Sequence, residues 1–80
     1  MKKFNDKPNC TGALIHQYRM KKKIGVTDLC RRLDLLGVNI NRKDIYNMEN
    51  GAMIIKDFEL LALAKILEIP LDEFKNNIFE

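Results

Sequence analysis

Four breaks, at Gly25, Gly37, Gly51 and Pro70, divide this chain into segments whose apolar residues recur at helical spacing, and no segment alternates apolar and polar residues in the two-residue period of a strand. The pattern predicts an all-α fold. Thr11 is placed to cap a helix that runs to about Lys22, with Ile15 and Tyr18 on one side and Arg19 beside them. After Gly25, the spacing of Val26, Leu29, Cys30 and Leu33 makes one apolar stripe and leaves Arg31 and Arg32 on the other side. Gly37 closes that helix, and Asn41 caps a third over about 41–50 that closes at Gly51. Lys56 or Asp57 opens a fourth, which stops before Pro70 because the residue before a proline is biased away from helix. A fifth begins at Leu71 or Asp72, passes through Phe74 and ends at an undefined point toward Phe79. The expected architecture is a compact bundle of about five short helices over residues 11–80, preceded by a flexible arm over 1–10 that lacks any periodicity.

Eighty residues make one domain with a modest core, so self-association is expected from size alone. No apolar run approaches the length of a bilayer span, and the start MKKFNDKPNCTG has no apolar signal core behind its lysines, so the chain is read as cytoplasmic. Cys10 and Cys30 have neither paired metal-ligand spacing nor a histidine cluster; they are read as a reduced loop thiol and a core filler. His16 is the single histidine and is read as an exposed helix residue, and the absence of serine removes Ser-His nucleophiles. Carboxylates and lysines remain, but nothing in their spacing suggests catalysis. The chain is read as a non-enzyme with no metal, cofactor or small-molecule ligand.

Charge is distributed unevenly. Residues 1–43 hold eleven Lys/Arg and three Asp/Glu, residues 44–80 three and eight, so the halves carry +8 and −5. That asymmetry suits a half that faces a polyanion and a half with other duties, although a merely solvated basic face fits charge alone equally well. The third helix is informative in another way. Only Ile45 and Met48 are apolar at helical spacing, so it is held along a narrow strip while Arg42, Lys43, Asp44, Tyr46 and Asn47 look outward. Two helices joined by a turn, the second exposing such side chains from its N-terminal end, meet the physical requirement for reading a DNA major groove, where arginine can fork onto guanine and asparagine can pair with adenine.

The segment IHQYRMKKKIGVTDLCRRL, the recognition-helix ending I-Y-N-M-E-N-G at 45–51 and the run ELLALAKILEIPLDEF at 59–74 resemble the phage-repressor and Cro-type (Xre) helix-turn-helix family over roughly residues 12–75. The resemblance implies a lambda-repressor-like bundle that binds double-stranded DNA as a transcriptional regulator, most simply a repressor. It implies base-facing roles for Arg42, Lys43, Asp44 and Asn47, a phosphate contact at Asn50, and a buried ion pair between Arg19 and Glu49. Lys22, Lys23, Thr27 and Tyr46 join the phosphate set, with a solvated helix end the competing reading for the lysines and packing over a helix edge the competing reading for Tyr46. Leu29, Leu33, Ile45, Met48, Leu60, Leu63, Ala64, Leu67 and Phe74 fall on the family's core positions.

Two departures stand out. Val26 occupies the place of a glutamine that family members use near the recognition helix, and residues 34–40 lengthen the turn between the second and third helices. The fourth helix carries an apolar surplus. Phe58, Leu61 and Ile66, with Ile78 and Phe79 in the tail, are expected to form a homodimer interface, the competing reading being a tail that folds back over the helix. The alternative function is an antitoxin-like or protein-interaction module that keeps the same fold, which the acidic second half and Val26 favour.

Overall fold

The computed structural model describes residues 8–79, which form five helices: α1 (Gly12–Lys21), α2 (Val26–Leu35), α3 (Arg42–Glu49), α4 (Asp57–Leu67) and α5 (Leu71–Phe79). The fold is all-α, and no strand occurs among the described residues. α1 and α2 each pack on both α3 and α4. Their meeting point is filled by Ile15 of α1, Leu29 and Leu33 of α2, Ile45 and Met48 of α3, and Leu63 and Leu67 of α4, all essentially without solvent exposure. Leu60, Ala64 and Phe74 lie half-buried against this core. α5 is fixed by Phe74 and by the Tyr18 hydroxyl, which donates to Glu73 Oε1 at 2.7 Å.

Helices α1 to α4 all end on the same reversal. In α1 the Lys23 and Ile24 amides return to the Met20 and Arg19 carbonyls, in α2 Gly37 and Val38 return to Asp34 and Leu33, and in α3 Gly51 and Ala52 return to Met48 and Asn47. In α4 the Ile69 amide returns to Ala64. This turn satisfies the orphan carbonyls of a helix end but requires a left-handed residue, for which glycine is the low-strain choice. Gly37 and Gly51 supply it at φ 81° and 77°; at the ends of α1 and α4 the same conformation falls on Lys23 (φ 57°) and Glu68 (φ 56°).

The start of α1 departs from the expected capping. Thr11 is buried and its side chain caps nothing; Asn9 does so instead, its Oδ1 accepting from the Thr11 and Gly12 amides at 3.2 and 2.8 Å. The same Asn9 amide donates to the Met48 and Met53 carbonyls at 3.0 and 2.6 Å. The arm expected over 1–10 is therefore tied down at Asn9, and residues 1–7 lie outside the described part. The lengthened turn between α2 and α3 is also anchored: Val38 and Ile40 are buried, whereas Leu35 and Leu36 face outward. Val26 turns into the core, which is why no polar side chain stands there.

Candidate nucleic-acid interface

α3 divides its eight residues between two environments. Asn41 accepts from the Asp44 amide at 2.8 Å and so fixes the first turn, while Ile45 and Met48 bury the inner face. Arg42, Lys43 and Tyr46 are exposed, and Asp44 and Asn47 are half-exposed. Among the described residues Arg42 and Lys43 form no ion pair, whereas Arg31 and Arg32 are both drawn onto Asp28 at 2.5 and 3.1 Å. Two unneutralised cations therefore stand together at the N-terminal end of α3. There the helix dipole adds to the positive potential.

That end borders an open groove. Its walls are Thr27, Cys30 and Asp34 of α2 and residues 39–43. Burial pushes the Cys30 thiol up, with Arg42 opposing, so it is held protonated and is a poor nucleophile. Thr27 is exposed at the mouth of the groove, as is Asn39, which no motif in the sequence singled out.

The opposite end of α3 is clamped. Arg19 Nε donates to Glu49 Oε2 at 2.6 Å and its Nη2 to Oε1 at 3.0 Å, while Nη1 donates to the Ile24 carbonyl at 3.0 Å. Both side chains are over nine-tenths buried. His16, itself exposed, places Nδ1 3.0 Å from the same Oε1 and donates to it in the Nδ1–H tautomer. The reading of His16 as a plain surface residue missed this contact, although its position one turn before Arg19 was the available signal. Gly12 completes the clamp, since a Cβ there would lie 1.9 Å from the Met48 carbonyl oxygen.

The remaining sites fall elsewhere. Asn50 is exposed at the end of α3. Lys22 and Lys23 are exposed in the turn after α1, and Lys22 is already engaged by Glu68. Phe58 and Leu61 project from α4, with 52% and 63% of their surface exposed, but Ile66 is half-buried against the core. Ile66 therefore offers less apolar surface to the expected interface than Phe58 and Leu61 do. The side chains of Ile78 and Phe79 lie outside the described part. No described helix is long and apolar enough to cross a membrane, and no group of described His, Cys, Asp and Glu side chains is arranged to hold a metal ion. No protein-family model, curated protein or solved structure matches the chain.

Proposed function

We propose that this protein is a sequence-specific double-stranded DNA-binding regulator of the phage-repressor and Cro type, acting in the cytoplasm and most simply as a repressor. The observation that carries this reading is the division of α3: a buried, clamped C-terminal end and an N-terminal end that offers Arg42 and Lys43 without internal partners. Arg42, Lys43 and Asn47 read base edges, Asp44 accepts from a cytosine amine or a bridging water, and Thr27, Lys23, Tyr46 and Asn50 position the duplex through phosphates. Arg42→Ala is expected to lose about 1–3 kcal/mol on a preferred site and to relax its sequence preference, whereas Lys23→Ala weakens all duplexes alike. Equal losses on preferred and random DNA for Arg42→Ala would reject base reading.

Phe58 and Leu61 of α4 support a two-fold dimer that sets two α3 helices about 34 Å apart on a palindromic site. Sedimentation equilibrium checks this. The wild type is expected to associate at about ten micromolar and Leu61→Glu to remain monomeric; a monomeric wild type ends the dimer. A protein-interaction module is the second reading, favoured by Leu35 and Leu36, which are 76% and 42% exposed at the end of α2. Duplex titrations at about 50 and 200 mM salt separate the two, since phosphate-dominated binding falls steeply over that range. Absence of binding at the lower salt would leave the interaction module standing.

A further inference from the structure

Among the described residues the two left-handed positions that are not glycine are Lys23 and Glu68, and both adjoin a single contact: Lys22, at the end of α1, donates through Nζ to Glu68 Oε1 at the end of α4. Glycine occupies the equivalent place in α2 and α3, so the turn itself does not call for a carboxylate. The pair is exposed, with 31% and 75% of the two side chains open to solvent. A left-handed backbone at an L residue generally costs more than an exposed ion pair returns. The helix-ending turn accounts for the left-handed backbone at Glu68 but not for a carboxylate there, since glycine serves the same turn in α2 and α3 with less strain.

Lys22 lies exposed in the turn that leads into α2, five residues before Thr27 in the sequence. Its carboxylate partner also stays ionised, because the Lys22 hydrogen bond and charge hold the Glu68 carboxyl below its ordinary range. We propose that Lys22 and Glu68 form an electrostatic latch: Glu68 occupies the ammonium group until a phosphate displaces it, so one phosphate contact is withheld from loosely bound DNA and made only in the closely docked complex. The proposal rests on the DNA-binding reading for its biological partner, but the competition between carboxylate and phosphate is a property of the pair alone.

The test uses the full chain and the variants Glu68→Gln, Lys22→Gln, the double variant, and Asp72→Asn as a control for a change of charge nearby. Random-sequence duplex and inorganic tripolyphosphate are the two probes. Glu68→Gln is expected to tighten binding to either probe about two- to fivefold. On duplex it should also steepen the salt slope by about one phosphate contact. The gain should exceed that of Asp72→Asn and vanish when Lys22→Gln is already present, which is the signature of direct coupling. Glu68→Gly, which relieves the backbone, is expected to raise the melting temperature while tightening binding in the same way. Equal gains from Glu68→Gln and Asp72→Asn, or a gain that survives Lys22→Gln, would overturn the latch. If no variant binds duplex the DNA reading falls, and the tripolyphosphate arm still decides the latch.

Discussion

Glu49→Gln and Arg19→Met are each expected to destabilise the protein by about 3–5 kcal/mol, because either change strands a charge or a polar group in a place from which water is excluded. Both side chains are over nine-tenths buried, and Glu49 alone receives Arg19 twice and His16 once. Replacing both partners together, Arg19→Met with Glu49→Leu, should cost less than either single change, since no unpaired charge remains. Urea unfolding of the three variants measures this; single losses below about 1 kcal/mol would show that the pair is too well solvated to act as described. The sign with pH follows from the carboxyl. Burial pushes Glu49 up, but the hydrogen bonds and charges of Arg19 and His16 outweigh it and leave the group below its ordinary value of 4.5. A carboxyl depressed in the folded state contributes stability in full above the unfolded value and loses it as pH falls through the folded one. The contribution should therefore be constant above about pH 4.5 and fade below it, and Glu49→Gln should lack that acid limb.

Gly12→Ala is expected to be as damaging for an unrelated reason. The added Cβ would lie 1.9 Å from the Met48 carbonyl oxygen and 3.0 Å from that of Glu49, and backbone cannot swing aside as a flexible side chain would. α1 and α3 must separate, which also pulls Asn9 from the Met48 carbonyl. A loss of about 3 kcal/mol, at the upper end for overpacked sites, should appear as a lowered melting temperature. Gly25 provides the control, since nothing lies within 4 Å of a Cβ built there. Gly25→Ala should stay within about 1 kcal/mol of the wild type, and a Gly12→Ala protein as stable as Gly25→Ala would mean that α1 and α3 are not so closely apposed.

The five helices were legible because each carries its own signal: the Val26, Leu29, Leu33 stripe, the Asn41 cap, Pro70 after α4. α5 was legible only at its start, since DEFKNN has few apolar residues and no closing glycine. The exposure of Arg42 and Lys43 followed from a helix with only Ile45 and Met48 to bury. What the sequence could not convey was contact between distant segments. Asn9 lies in a stretch with no periodicity, yet it caps α1 and reaches carbonyls 39 and 44 residues away. Ile66 looked like surplus because α4 is apolar nearly all round, and only packing shows which of its sides is covered. Nor does spacing along the chain bring Lys22 to Glu68.

The grip on α3 is lopsided in a way that bears on which of its residues can be replaced without cost. Asn9, Gly12, His16 and Arg19, all within the first nineteen residues, hold the far end of this short helix, while Arg42 and Lys43 at the near end carry none of that duty. At the near end the hold comes from the Asn41 cap and buried Ile45, and the side chains of Arg42 and Lys43 take no part in it. Substitutions at 42 and 43 can therefore change the charge and hydrogen-bonding character of this surface while the scaffold stays intact.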